Sequence, residues 1–307
     1  MELQKERAIK RPGMTYMALW LALGFLLIAI IAGGSISAYV GWSLTHPDRE
    51  QVVITPDSVG LKYQDVEFTS REDGLTLSGW LIRAEANKKT IIFAHGYGKN
   101  RLQDDVPIMP ITQSLVGAGY NVLLFDFRGC GQSEGDLVSV GQFEVLDLLG
   151  AIDYVKCHTE LNPRIILFGF SMGASTAILA GAREQAVDAV IADSPFADLK
   201  SYLMQNLSVW INLPPVPFNR AFLLVVSTVT GLKAEAVSPV VEVGNLGDRP
   251  LFLIHGTGDA KIPMQNSELL YETYPGAELW EVPEAGHVKS YSVAGDLYIE
   301  RILEFIR

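Results

Sequence analysis

Gly169-Phe170-Ser171-Met172-Gly173 is the stretch on which the reading of this chain turns. Before it runs Arg164-Ile165-Ile166-Leu167-Phe168, apolar enough for a strand buried on both faces. After it runs Ala174-Ser175-Thr176-Ala177-Ile178-Leu179-Ala180, small enough for a helix packed on a sheet. Strand, G-x-S-x-G and helix together read as a nucleophile elbow. The glycines have a steric task, because a serine on a tight turn needs neighbours without side chains. The turn lifts the Ser171 hydroxyl clear of the backbone. It also leaves the Met172 N–H at a helix start, where a developing negative charge is stabilised. A Gly-rich turn that only lets a helix pack closely is the plain alternative. The test between the two is whether serine's partners occur at other strand ends.

The pattern around the elbow predicts an α/β sheet. Val66-Glu67-Phe68-Thr69 and Leu75-Thr76-Leu77-Ser78-Gly79-Trp80-Leu81 flank Glu72-Asp73-Gly74 and read as an antiparallel hairpin. Continuous apolar runs follow at Thr90-Ile91-Ile92-Phe93-Ala94, Asn121-Val122-Leu123-Leu124-Phe125, Ile165 to Phe168, Ala189-Val190-Ile191-Ala192 and Pro250-Leu251-Phe252-Leu253-Ile254. Helical stretches lie between them near 108–118, 141–158 and 172–183. That alternation predicts a mostly parallel sheet with helices on both faces. Glu278-Leu279-Trp280-Glu281-Val282 is the last strand, and 294–306 the closing helix. Between 198 and 248 the rhythm breaks. Trp210, Pro214-Pro215-Val216-Pro217-Phe218 and Phe222 there read as a small helical lid over the strand ends.

In such a sheet the site lies at the carboxyl ends of the strands. His287, in the loop after the final strand, is the candidate base for Ser171. Asp259, in the loop after 251–254, is the candidate carboxylate that orients it, which makes the order Ser, Asp, His. The oxyanion hole takes the Met172 N–H and a second donor from His95-Gly96-Tyr97-Gly98, assigned to the Tyr97 N–H. His95 and His255 read as structural. Asp126, with Arg128 as a partner, and Asp193 are the rival carboxylates. No metal-ligand spacing and no dinucleotide signature occurs, so the chemistry calls for no metal and no organic cofactor.

The first 42 residues are different in kind. Lys5, Arg7, Lys10 and Arg11 precede an apolar run over about 14–40, and no charge falls between Arg11 and Asp48. The run exceeds the ~20 residues needed to cross hydrocarbon, so 1–13 reads as a basic cytoplasmic tail, 14–42 as a transmembrane anchor and 43–62 as a linker to a catalytic domain over 63–307. Basic residues ahead of the span predict a single pass with the N-terminus cytoplasmic and the domain extracytoplasmic. Ser35-Ile36-Ser37 keeps open a signal peptide cut to release a secreted protein. The net charge of −11 and the lack of a basic stripe in the domain argue against nucleic acid. Cys130 and Cys157 are the two cysteines of the chain; outside the cell they could bridge, but the reading is two free, partly buried thiols. Oligomeric state is not legible.

Taken together, His95-Gly96-Tyr97-Gly98, Asp126-Phe127-Arg128-Gly129-x-Gly131-x-Ser133, the elbow, His255-Gly256-x-x-Asp259 and Gly286-His287 resemble the α/β-hydrolase family of serine hydrolases from about Val66 onward. The pattern is most similar to its membrane-anchored members of the Bem46, ABHD13 and ABHD17 type. The resemblance implies two-step acyl transfer, Ser171 attacking with His287 as base and water releasing the acyl group. An apolar lid beside a bilayer predicts a small-molecule ester with an acyl or lipid-like chain as substrate. A peptidase or amidase, a thioesterase or acyltransferase on the same triad, and a membrane-tethered binding protein without turnover remain open.

Overall fold

Eight strands join in one sheet, the central ones buried on both faces and the edge strands β1 (Gln64–Thr69) and β8 (Ala277–Val282) with residues left exposed. The computed structural model describes residues 12–87, 89–158, 160, 161, 164–211 and 215–307, with the side chains of 12–15, 215–217 and 221 left aside. Lys5, Arg7, Lys10, Arg11 and Pro214 lie outside the described residues. The strands are β1 (Gln64–Thr69), β2 (Thr76–Ile82), β3 (Thr90–Ala94), β4 (Asn121–Phe125), β5 (Ile165–Phe170), β6 (Val187–Asp193), β7 (Leu251–Gly256) and β8 (Ala277–Val282). Their spatial order is β1-β2-β4-β3-β5-β6-β7-β8. β1 pairs antiparallel with β2, as the hairpin reading predicts, and β2 antiparallel with β4. Every later pairing is parallel.

Alternate side chains of the central strands enter two cores. Ile92 and Ala94 of β3 and Leu167 of β5 face one, shared with α3 (Glu144–Cys157) and α4 (Met172–Arg183). Ile91, Phe93, Ile166 and Phe168 face the other, shared with α2 (Ile108–Gly117) and α10 (Asp296–Phe305). This is the period-two alternation of a sheet covered on both sides. α8 (Gln265–Thr273) and α9 (Ser290–Ala294) complete the C-terminal half.

The lid leaves the end of β6 and returns to β7. It contains α5 (Leu199–Asn206), α6 (Pro215–Thr230), the short α7 (Pro239–Glu242) and three 3-10 turns. Asp198 starts α5 as an N-cap, accepting the Ser201 N–H at 2.8 Å. α1 (Pro12–Thr45) is one unbroken helix of 34 residues. Over Tyr16–Thr45 it is long and apolar enough to cross a bilayer, with a mean hydropathy of 2.3. Its C-terminal end is joined to the domain: the Thr45 carbonyl accepts the Val138 N–H at 2.7 Å. Residues 46–63 then run over the domain surface. Arg49 donates to the Ser133 carbonyl at 2.6 Å, and Asn100 Nδ2 donates to the carbonyls of Glu50 and Gln51, each at 3.1 Å.

The turn after β4 departs from expectation in one pairing. Asp126 is met by Arg101, not by Arg128: Arg101 gives its backbone N–H at 2.7 Å and its guanidinium at 2.6 Å. Arg128 reaches the other way, to Asp147 at 2.6 Å and Asp73 at 2.7 Å. The side chains of Arg101 and Asp126 are 1% and 0% exposed. Arg101→Met would leave a buried carboxylate uncompensated and is expected to cost about 3–5 kcal/mol. Arg71→Met, at a partly exposed pair, is expected to cost about 1 kcal/mol or less. Urea unfolding of the full chain in detergent checks both, and equal losses would contradict the account.

Candidate active site

Ser171 stands between β5 and α4 at φ +54° and ψ −119°, a backbone region that L residues rarely adopt. Its N–H donates to the Asp193 carbonyl at 2.9 Å, tying the turn to the neighbouring strand. The glycines on either side are obligatory. A Cβ on Gly173 would stand 2.0 Å from the Ala94 carbonyl oxygen, and one on Gly169 2.2 Å from the carbonyl oxygen of Gly173. Both obstacles are backbone, so neither can yield.

His287 reaches this turn from the loop between β8 and α9. Its Nε2 accepts the Ser171 hydroxyl at 2.9 Å, and its Nδ1–H donates to Asp259 Oδ2 at 2.8 Å. That pattern of bonds suits the tautomer able to receive a proton from serine. The other Asp259 oxygen accepts the N–H groups of Lys261 and Ile262, each at 2.9 Å. Burial raises the Asp259 carboxyl, but hydrogen bonds from His255 and His287 and from the loop backbone outweigh it. The acid is therefore held below the usual carboxylate range. His255 lies 3.4 Å from Asp259 Oδ2, with its ring fixed by the Ile262 carbonyl and Ser267 Oγ. Position in sequence alone placed His255 only as structural; its support of the acid becomes visible once Asp259 folds back over β7.

The loop after β3 brings Tyr97 to the same place. Among the described residues, neither the Tyr97 N–H nor the Met172 N–H has a hydrogen-bond partner. The preceding Gly96 N–H is engaged by Gln103 Oε1 at 2.5 Å, which fixes the loop. The Tyr97 hydroxyl points away from Ser171 and donates to the Leu44 carbonyl at 2.5 Å. His95 accepts the Phe127 N–H at 2.9 Å, and burial pushes its pKa down to about 4, so it is neutral.

Neither rival carboxylate is hydrogen-bonded to His287. Asp126 is absorbed by Arg101 and by the Gln132 N–H at 2.8 Å. Asp193 lies beneath the histidine loop, accepting the Tyr298 hydroxyl at 2.9 Å and the Ser194 hydroxyl at 2.9 Å. Ser194 Oγ in turn accepts the Val288 N–H at 3.3 Å, next to His287. Asp193 thus supports the segment that carries His287. Burial pushes its pKa up to about 6, against the pull of those hydroxyls.

Two spaces meet at Ser171. One is narrow, about 60 Å³, and its walls are apolar: Met172 and Phe196, Leu199 and Leu203 of α5, Phe222 of α6 and Leu44 of α1. The other is larger and polar and is lined by Glu50, Lys99, Asp105, Lys261 and His287. Cys130 is buried, Cys157 is exposed, and both are free. Among the described residues no group of His, Cys, Asp and Glu side chains is arranged to hold a metal.

Comparison with known proteins accords with this geometry. Residues 85–229 match the family model described as Serine aminopeptidase, S33. The uncharacterized protein YfhR of Escherichia coli O157:H7 is 32% identical over 253 residues, covering 79% of this chain and 80% of its own. The structure of the Pyrococcus furiosus esterase Pf2001 superposes with a TM-score of 0.72 at 31% identity, over 86% of this chain and 97% of that one. The α/β hydrolase GrgF of a Penicillium species shares the fold with a TM-score of 0.63 at 22% identity, over 80% and 98%.

The raised Asp193 carboxyl has a signed consequence. A carboxyl whose folded pKa lies above its unfolded value costs nothing below the unfolded value, and its full cost is felt above the folded one. Asp193→Asn never carries that charge. Its stability relative to wild type is expected to rise between pH 4 and pH 7 by an amount on the order of 3 kcal/mol. Urea unfolding at the two pH values measures the difference; a difference independent of pH contradicts it.

Proposed function

The chain belongs to the α/β-hydrolase superfamily, and on that premise we propose that it is a membrane-anchored serine hydrolase cleaving carboxylic esters with an acyl or lipid-like chain. The observation that carries this reading is the unbroken line Ser171–His287–Asp259, opening on an apolar pocket on one side and a polar one on the other. Ser171 Oγ attacks the ester carbonyl carbon as its proton passes to His287 Nε2. The carbonyl oxygen, now negative, takes the N–H groups of Tyr97 and Met172. The bond to the alcohol oxygen breaks as His287 returns the proton to it, and the acyl group stays on Ser171. Water then enters, gives its proton to His287 and releases the carboxylic acid, restoring the serine. Asp259 keeps the imidazole in its tautomer and balances the imidazolium in both steps.

Ester specificity is supported by the likeness to a protein described as an esterase. The name of the matching family model favours a second reading, an aminopeptidase, which needs free carboxylates to hold a substrate ammonium. Glu50 and Asp105 line the polar space, yet Glu50 is engaged by Lys99 at 2.7 Å and Asp105 by Gln103 at 2.6 Å. The similarity to the Bem46, ABHD13 and ABHD17 type rests on the apolar N-terminal helix. On this reading α1 spans the membrane, with the basic residues that precede it in sequence inside and the domain outside.

Fluorophosphonate is expected to label the wild type in detergent and not Ser171→Ala. Asp259→Asn is expected to lower kcat on p-nitrophenyl butanoate by about 10⁴-fold, the loss seen when a triad histidine takes the wrong tautomer. Labelling that persists in Ser171→Ala would overturn the assignment. Faster turnover of aminoacyl p-nitroanilides than of p-nitrophenyl esters would favour the aminopeptidase.

A further inference from the structure

The apolar pocket has a wall that a soluble hydrolase domain does not supply. Leu44 and Thr45, the last residues of α1, line it together with Ser171. The attachment is specific. The Leu44 carbonyl takes the Tyr97 hydroxyl from the very loop that carries a candidate oxyanion donor. Further up the helix, Gly41 lies against α6, where a Cβ would meet Val226 Cγ2 at 3.0 Å. Ser37, one turn earlier on the same side of α1, is likewise buried.

The pocket's chemistry selects its occupant. Thr45 Oγ1 is spent on the Gly41 carbonyl at 2.8 Å. The Tyr202 hydroxyl donates to the Lys261 carbonyl at 3.1 Å and accepts the Trp210 indole N–H at 2.6 Å. With the Tyr97 hydroxyl also engaged, Ser171 Oγ is the reactive group facing an otherwise apolar space. A polar guest would lose its hydration there without replacement, while a hydrocarbon chain would not.

Geometry supplies the source of that chain. Residues 16–36 are exposed apart from partial cover at 33 and 34, whereas Ser37, Gly41 and Thr45 are buried. At the α-helical rise the exposed part is about 31 Å long, the thickness of the hydrocarbon core. Leu44 then stands about 12 Å beyond its end. Tyr39 and Trp42, both exposed, fall at the level of the headgroups. On the same side of the molecule α6 presents Leu224, 78% exposed.

We propose that the end of the anchor helix is part of the substrate site, and that the pocket between α1, α5 and α6 receives the acyl chain of a bilayer lipid ester. The polar space on the other side of Ser171 takes the alcohol part. This assignment rests on the hydrolase reading for its chemistry, but the pocket is testable without turnover.

The test uses the full chain in phosphatidylcholine vesicles. Leu44→Trp narrows the wall, and the ratio of kcat/KM for p-nitrophenyl dodecanoate to that for p-nitrophenyl butanoate is expected to fall by about tenfold or more. Leu44→Ala widens it and is expected to raise the ratio; a merely unstable variant would lose both substrates together. In parallel, Ser171→Ala is irradiated in vesicles whose phosphatidylcholine carries a diazirine in the acyl chain. Crosslinks are expected within 196–207, where Phe196, Leu199 and Leu207 are buried from the outside, and are expected to weaken in Ser171→Ala combined with Leu44→Trp. An unmoved ratio in both variants, or crosslinks confined to the exposed faces of α1 and α6, overturns the proposal. Wild type that takes no fluorophosphonate yet shows the internal crosslinks would remove the hydrolase reading and leave the chain pocket standing.

Discussion

Everything at the carboxyl end of the sheet around Ser171 depends on the close approach of α4 to β3 and β5. The Ala94 carbonyl oxygen occupies the space a side chain at 173 would need, and the Gly173 carbonyl occupies that of residue 169. The helix can therefore start directly beneath the serine, which is forced into a left-handed backbone conformation. The unfavourable conformation is held by the parallel ladder on both sides and by the Ser171 N–H to the Asp193 carbonyl. The placing of the Ser171 hydroxyl against His287 and a Met172 N–H without a partner among the described residues are two results of one steric fact.

A second constraint is the sorting of buried negative charge. Asp126, Asp147, Asp193 and Asp259 lie within one end of the fold, and each has separate partners. Asp126 and Asp147 have an arginine each, Asp193 has hydroxyls, and Asp259 has two imidazoles and two backbone N–H groups. Only Asp259 meets a histidine that also reaches a serine. The difference lies in the company each carboxylate keeps, since all four side chains are nearly inaccessible. Arg101 and Arg128 thus contribute to the site at a distance, by confining two other acids to structural duty.

Much of this was legible in the sequence because strands buried on both faces leave long apolar runs, with the polar residues at their ends standing out. The central strands, the elbow and the positions of Ser171, Asp259 and His287 in the loops after them follow from that contrast, while the β1–β2 hairpin follows from its alternation. Pairings across long sequence distances did not. Arg101 lies 25 residues before Asp126, and nothing local distinguishes it from Arg128, only two positions after that carboxylate. The support of Asp259 by His255, and of the histidine loop by Asp193 and Tyr298, likewise depends on how loops fold over the strand ends. The break in rhythm after 198 announced a lid, but which of its residues face the serine is set by tertiary packing of α5 and α6.

The Tyr97 hydroxyl bonded to the Leu44 carbonyl ties the end of α1 to the loop after β3. Inserting one residue ahead of Leu44 would rotate the helix end by about 100° and advance it by about 1.5 Å, carrying the tied carbonyl and the leucine out of register. Changes in the apolar letters of α1 that keep its length leave that register intact, whereas a change in their number breaks it. Helix length and phase ahead of Leu44 are thereby coupled to the geometry of the loop that carries Tyr97.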